Sequence, residues 1–378
     1  MPALHTITIE GFKSLRRIDR LALGAVNVLI GANGSGKSNF IGAFSFLHAL
    51  REGRLQEYVG RAGGADRVLH FGAKTTSALR FEISFQSHTQ HPWLTEYRAV
   101  LVPTELDTLL VTDEEVCHHE PASADRPLRL PLPLLGREAT LGAQDSGPGR
   151  RVRDHLDGWR VYHFHDTGPS SPMKRTGDVE DNRALRPDGA NLAAFLYRLR
   201  AQHPEAYDLI RRTVQQVTPF FDDFRLAPSA LNPDKIRLEW KHTRADSYFD
   251  AASLSDGTLR FMALATLFLQ PAALRPSVLL VDEPELGLHP YAITLLASLV
   301  KQASTDAQVI LSTQSPMLLD HFDPEDVLVA AQEDGATTLT RLDAERLEAV
   351  RRACPHFHAW LAELERRAPA PAPAPDAA

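Results

Sequence analysis

Residues Val278–Pro290 read VLLVDEPELGLHP. The four apolar residues Val278–Val281 have the composition of a fully buried strand, and Asp282-Glu283 follow at its C-terminal end. In open α/β sheets that end of a strand faces the crevice where ligands bind. An acid there can hold a divalent cation and its neighbour can orient and deprotonate a water, so Asp282 is read as a metal ligand and Glu283 as the catalytic base. Upstream, Leu254-Ser-Asp-Gly-Thr258 places a Ser-x-Gly turn before an apolar helical run at Leu259–Leu269, 27 residues ahead of Asp282. A serine or aspartate at that point caps a helix in any protein. The same turn can also offer its N–H groups to a phosphate.

A second phosphate-binding device lies far upstream. Gly31-Ala-Asn-Gly-Ser-Gly-Lys-Ser38 satisfies GxxxxGK[ST] in full, after the β-branched run Val26–Ile30 and before helically spaced Phe40, Ile41, Phe44 and Leu47. Gly31, Gly34 and Gly36 let the backbone curl so that N–H groups around Ala32, Asn33 and Ser35 point at phosphates. Lys37 is assigned to the β- and γ-phosphates and Ser38 to Mg²⁺. One nucleotide rarely needs two such devices from one chain, so two chains sharing each ATP is the expectation.

The rest of the chain reads as an α/β protein. Strands are expected at Leu4–Ile9, Ile18–Leu23, Ala78–Gln86, Glu96–Val102, Leu106–Thr112 and Trp159–Phe164. Residues 120–153, rich in Pro and Gly, read as an irregular connection. A helical section follows, started by Asp188-Gly189 and carrying Phe195, Leu199, Tyr207, Ile210 and Val214. Strands at Phe224–Leu226 and Ile236–Trp240 precede the Ser255 turn. Helix 259–269, strand 278–281, helix 291–301 and strand 309–312 then alternate as βα units of a largely parallel sheet. No heptad run is long enough for a coiled-coil arm. The tail, Ala/Pro-rich from residue 367 to 378, cannot build a core.

Composition bounds these readings. The 378 residues are 43% hydrophobic and 24% charged, ordinary for a globular protein. No apolar run reaches the ~20 residues that span a bilayer, and the N-terminus lacks a signal-peptide pattern, so membrane insertion is not expected. Two cysteines, Cys117 and Cys354, form no motif, which suits a reducing cytoplasmic setting. The net charge of −7 argues against a uniformly basic nucleic-acid binder. Residues 1–54 nonetheless carry seven basic residues against three acidic ones, and residues 278–378 carry seven against sixteen.

Together, Phe12–Leu15 (FKSL), Gly31–Asn39 (GANGSGKSN), Leu254–Thr258, Asp282–Pro290 and Ser312–Pro316 (STQSP) resemble the ATP-binding-cassette class of P-loop ATPases, in its RecF/SMC-like branch. The chain is similar to the RecF-type "AAA family" ATPases, a group that includes the ATPase part of OLD nucleases. That resemblance implies an ABC-type head spanning residues 1–366. Its ATP-binding lobe would cover about 1–165 and 270–366, and its helical signature lobe about 166–269. It adds Asn39 to the nucleotide loop and implies that Ser255 and Gly257 contact the γ-phosphate of a partner's ATP across a dimer. Glu285–His289 would be the D-loop, and Gln314 the switch residue.

The implied function is Mg²⁺-dependent ATP hydrolysis in a homodimer, serving DNA repair, recombination or another DNA-linked process, with DNA or a DNA-processing protein as partner. An anti-phage ATPase with a separate effector and a transporter's ATP-binding subunit are the alternatives. Asp256 departs from the glycine of transporter signatures. Gln314 stands where histidine is usual; glutamine cannot shuttle a proton, so slow turnover is expected. A Q-loop is sought at Gln86 or, in preference, near His165. His163, His165 and Asp166 suggest a metal site but show no third or fourth ligand at suitable spacing. Arg150, Arg151, Arg153, Lys174 and Arg175 read as a basic, solvated loop.

Overall fold

The structure is a computed structural model that describes residues 3–86, 93–119, 127–134 and 136–342. These divide into two compact units, one of residues 3–157 with 322–342 and one of residues 158–321.

The first unit begins with β1 (Ala3–Phe12) and β2 (Leu15–Ala22), then β3 (Val26–Ile30), whose five residues are all buried. Helix α1 (Lys37–Arg51) follows, then α2 (Leu55–Ala62) and the short α3 (Ala65–Val68). Strands β4 (Leu79–Gln86), β5 (Leu94–Pro103), β6 (Leu109–His119) and β7 (Leu128–Pro131) complete an antiparallel sheet of order β2-β1-β4-β5-β6-β7. Leu4, Ile7, Ile9 and Phe12 of β1 are buried, and register shifts between Leu4 and Thr6 and between Ile7 and Ile9 break the strict alternation of the strand. Helix α1 packs on this sheet through Phe46, whose ring lies 5.5 Å from Phe12 and 5.2 Å from Phe81. Each fully buried side chain of this size contributes about 1.5–3 kcal/mol.

Residues read as an irregular connection contain β7 and a further helix, α4 (Gly147–Asp157). The helix forms because Gly149, Val152 and Leu156 recur at helical spacing on one buried face. It carries Arg150, Arg151 and Arg153, so these arginines belong to a helix and not a loop. Arg153 pairs with Asp145 at 2.7 Å, and the Arg151 guanidinium lies over Trp93.

The second unit opens with β8 (Trp159–Tyr162) and β9 (Gly177–Asp178), then α5 (Leu192–Gln202) and α6 (Pro204–Val217). Helix α5 starts at an Asn191 N-cap position; Asp188-Gly189 forms the preceding turn, with Gly189 at a φ of 71°. Strands β10 (Phe221–Arg225), β11 (Lys235–Ile236), β12 (Glu239–His242) and β13 (Tyr248–Asp250) follow. Strand β12 lies between β10 and β13, while β11 pairs with β9. Helix α7 (Asp256–Leu269) buries every residue from Leu259 to Leu269. Then come β14 (Val278–Asp282), α8 (Pro290–Ala303), β15 (Gln308–Thr313) and the short α9 (Pro316–Leu319). Strand β14 runs parallel to both β8 and β15, the arrangement βα units impose. This ladder places β14, α8 and β15 in one compact unit with the helical stretch.

The chain returns to the first unit as β16 (Val327–Glu333), parallel to β3, and β17 (Ala336–Arg341), antiparallel to β16. Asp334 and Gly335 join them with φ of 50° and 75°, the left-handed pair a tight hairpin needs. Among the described residues the longest helix has 15 residues, so no coiled-coil arm is present there. None of their helices is long and apolar enough to cross a membrane. The Ala/Pro tail, Cys354 and residues 120–126 lie outside the described residues.

Candidate functional site

In the first unit the phosphate loop is shaped by close approach. Gly34 and Gly36 have φ of 80° and 97°, the left-handed region that favours glycine. A Cβ on Gly36 would stand 1.9 Å from Thr337 Oγ1, and one on Gly31 2.2 Å from the Ala330 carbonyl oxygen. The β16–β17 hairpin is therefore the floor of the loop. Asn39 Nδ2 and Thr337 Oγ1 each donate to Ser14 Oγ at 2.7 Å, tying FKSL, the loop and β17 together. Helix α1 starts at Gly36 with no side-chain cap and no acid in its first turn, so its N-terminal N–H groups and dipole favour an anion.

Lys37 is buried, and its Nζ donates to the carbonyls of Gly31 at 2.7 Å and Ala32 at 3.0 Å. Ser35 Oγ is buried with no hydrogen-bond partner among the described residues. Ala32, Asn33 and Ser38 are exposed at the rim. These groups fit a triphosphate: an ammonium aimed into the loop, an uncapped helix end and an orphaned hydroxyl.

In the second unit the parallel ladder gathers the other residues at its C-terminal edge. Asp282 ends β14, and Ser312 Oγ of β15 donates to its Oδ1. Its Oδ2 faces His163 Nδ1 at 4.0 Å. One carboxylate oxygen held and the other aimed outward is a fitting arrangement for a divalent cation. Glu283 stands in a left-handed conformation, φ 42°, with its N–H donated to the carbonyl (3.0 Å) and hydroxyl (3.2 Å) of Ser312. A non-glycine residue held there costs of order 1–3 kcal/mol, a strain typical of functional positions. Gln314, exposed after β15, donates its amide Nε2 to Glu283 Oε1.

The segment expected to be the D-loop begins with Glu285, which is buried. Thr313 Oγ1 (2.6 Å) and the Gln314 N–H (3.1 Å) donate to its Oε1, while Oε2 has no partner among the described residues. Burial pushes the Glu285 carboxyl above its ordinary value, against the pull of those hydrogen bonds.

Ser255 caps α7, its Oγ accepting from the Thr258 N–H at 3.2 Å. Gly257 lies so close to the D-loop that a Cβ would meet the Gly287 carbonyl oxygen at 2.2 Å. One turn on, Arg260 is buried within the apolar face of α7. Its guanidinium donates to the carbonyls of Phe164 (2.9 Å), His165 (3.1 Å) and Leu286. A single cation thus joins α7, the 285–289 segment and the chain just after β8.

Asp282, Glu283, Glu285 and Gln314 therefore converge in the second unit, with Ser255 and Gly257 at the head of α7 beside the D-loop. Gly31–Asn39 form the loop in the first unit. Gln86 pairs with Ala3 and Leu94 in the antiparallel sheet, whereas His165 stands in a cluster with Asp282. The absence of a third ligand for His163 and His165 is corrected: the donor atoms of His163, His165 and Asp282 all lie within 4.8 Å of one another. The parallel register, pairing Val281 with Tyr162, supplies the ligand that local spacing could not show. Sequence reading also passed over Arg260, whose signal was a lone guanidinium inside LRFMALATLFL.

A family model described as "AAA domain, putative AbiEii toxin, Type IV TA system" matches residues 26–90 and 144–320, more than half of the chain. Among curated proteins, the chain is 31% identical over 185 residues to the nickel import ATP-binding protein NikO of Rhodobacter capsulatus, covering 46% of this chain and 65% of that protein. It is 39% identical over 79 residues to urease accessory protein 2 of Cryptococcus neoformans var. grubii, covering 20% of this chain and 6% of that one. The chain thus spans less than two thirds of either relative. A solved SMC head bound to the C-winged helix domain of ScpA aligns with a TM-score of 0.57 at 18% identity, over 92% of this chain and all of that one. The fold is that of an SMC-type ABC ATPase head.

Proposed function

We propose a function from one premise: the chain belongs to the AAA-domain family described as a putative AbiEii toxin of a type IV toxin–antitoxin system, and it is an ABC-class P-loop ATPase of the RecF/SMC type. It binds and hydrolyses ATP with a divalent cation, and two copies engage when ATP is bound. The observation that carries this reading is the phosphate loop, with left-handed Gly34 and Gly36, buried Lys37 and an uncapped α1.

Lys37 neutralises charge on the β- and γ-phosphates, and backbone N–H groups of Asn33–Asn39 orient them. Ser38 and Asp282 would each offer an oxygen to Mg²⁺, and the ion would offset the charge that develops on the phosphate oxygens. Glu283 orients the attacking water and accepts its proton. Gln314 fixes the Glu283 carboxylate by its amide but carries no proton itself, which slows turnover. Ser255 and the N–H groups at Gly257 bind the γ-phosphate on a second copy, completing the site only in the dimer. The division into an ATP-binding lobe and a signature lobe at 166–269 belongs to this same reading.

The work this ATPase drives is a DNA-linked process, with DNA or a DNA-processing protein as partner. The resemblance to RecF/SMC heads and the excess of basic residues in positions 1–54 support it. The family's description favours a second reading, an anti-phage or toxin–antitoxin component acting with a separate effector. The name of the nickel importer keeps a transporter subunit as a third.

Light scattering with phosphate-release assays tests the engine. Glu283→Gln is expected to lose phosphate release at least 100-fold and to accumulate an ATP-bound dimer, whereas Lys37→Ala stays monomeric with ATP. A monomeric Glu283→Gln at saturating ATP would overturn the shared site. DNA binding that appears only with ATP and weakens with salt separates the DNA reading from the effector reading.

A further inference from the structure

Strand alternation at the end of β8 buries Tyr162 and Phe164 and leaves His163 and His165 exposed on the opposite face. Their rings lie 6.1 Å apart, centroid to centroid, and inclined by 30°. The ladder register brings this face beside Asp282, so that the two imidazoles and the carboxylate have donor atoms within 4.8 Å of one another. Two further contacts hold the trio in place. Arg260 grips the Phe164 and His165 carbonyls from inside the fold, and the His163 N–H donates to the Pro187 carbonyl at 2.9 Å. Ser312 fixes Asp282 Oδ1, leaving Oδ2 towards His163. Ligands on one ion at about 2.0–2.2 Å stand roughly 3–4 Å apart, so the 4.0 Å gap between Nδ1 and Oδ2 accepts an ion with little movement.

We propose that His163, His165 and Asp282 form a divalent-cation site of two imidazoles and one carboxylate, which selects a transition-metal ion such as Zn²⁺ or Co²⁺ over Mg²⁺. The chemistry follows from the donors. Mg²⁺ prefers an all-oxygen octahedron and keeps its waters, whereas imidazole nitrogen suits Zn²⁺ and the later first-row ions. Three protein ligands leave positions for water or a phosphate oxygen, as in catalytic rather than structural sites. The inference rests on the reading of Asp282 as a cation ligand and goes beyond it: with no nucleotide bound, the carboxylate that would serve Mg·ATP completes a separate site with the two imidazoles.

Calorimetric titration of the nucleotide-free full chain with Zn²⁺, Co²⁺ and Mg²⁺ tests it, with Co²⁺ absorption spectra on the same samples. The Glu96–Cys117–His119 cluster is the other group of this kind among the described residues, so the parent protein carries Cys117→Ser and His119→Ala. One Co²⁺ or Zn²⁺ per chain is expected, at least 10-fold tighter than Mg²⁺. Co²⁺ should show visible ligand-field bands and no thiolate charge-transfer band. His163→Ala and His165→Ala should each weaken Zn²⁺ at least 10-fold; both side chains are exposed, and unchanged melting curves confirm the fold. Zn²⁺ binding no tighter than Mg²⁺, or indifferent to both histidine variants, overturns the inference. Mg·ATP binding measured on the same proteins keeps the two readings apart. If it survives while metal selectivity fails, only this inference falls; if Asp282→Asn leaves Mg·ATP binding and hydrolysis intact, the assignment beneath it falls too.

Discussion

Glu283, Gln314 and Glu285 form a chain of contacts in which each residue restrains the next. The Gln314 side chain donates to Glu283, while its backbone N–H donates to Glu285. The proposed switch residue is thus bonded at once to the proposed base and to the first residue of the proposed D-loop. Glu285 contributes to this at a cost to stability. Its carboxyl is buried with Oε2 lacking a partner among the described residues, and burial raises its pKa above the ordinary 4.5. Between 4.5 and that raised value the folded chain binds more protons here than the unfolded chain does. The group's stabilising contribution is therefore whole below about 4.5 and is lost as pH rises through the folded pKa. Glu285→Gln keeps an acceptor for Thr313 and Gln314 without a buried charge. Its melting temperature is expected to exceed wild type at pH 8, with the difference shrinking towards pH 4.5. Thermal melts across that range check this, and a lower Tm than wild type at pH 8 would show that the ionised carboxylate is preferred.

At the scale of elements, the turn at Ser255–Thr258 is both a helix cap and a packing surface. Ser255 satisfies a first-turn N–H of α7, and Gly257 lets the D-loop backbone approach to a distance no side chain allows. The local meaning of such motifs is legible because it is local: a glycine where backbone must approach, a serine where a helix must start. What escaped the sequence was assembly between elements. The hairpin β16–β17 went unnamed although Asp334-Gly335 is a strong turn signal, and α4 was hidden by Gly147, Pro148 and Gly149 at its start. The link from Arg260 to β8 and the D-loop is nonlocal as well, and no spacing rule encodes it.

Gly257→Ala separates the two roles of the turn. On helix propensity alone, alanine would stabilise α7 by up to about 1 kcal/mol. The 2.2 Å approach of the new Cβ to the Gly287 oxygen reverses that sign, because the atom it meets is backbone and one element must shift. A net loss of about 2–3 kcal/mol is expected in urea unfolding. A stabilised variant would mean that the D-loop does not rest on α7 in solution.

For the molecule as a whole, the first unit carries a built-in sensitivity to acid. His155 of α4 stacks on Phe85 of β4, with ring centroids 4.7 Å apart and planes inclined by 19°, and Trp93 lies 6.3 Å away. Burial lowers its pKa from 6.5 to about 4, although neighbouring Asp154 pulls the other way. The unfolded chain takes up a proton near pH 6.5 and the folded chain only near pH 4. Stability from this group is therefore present above about 6.5 and is lost as pH falls through that window, by at most about 3 kcal/mol. Helix α4 docks on the sheet partly through this ring, so protonation weakens the attachment of a helix whose last turn also pairs Asp157 with Arg51 of α1. His155→Phe retains the aromatic contact and removes the titration. Its advantage over wild type in urea unfolding is expected to grow from pH 7 to pH 4.5, whereas parallel pH profiles for the two proteins would show that His155 already titrates normally in the folded state.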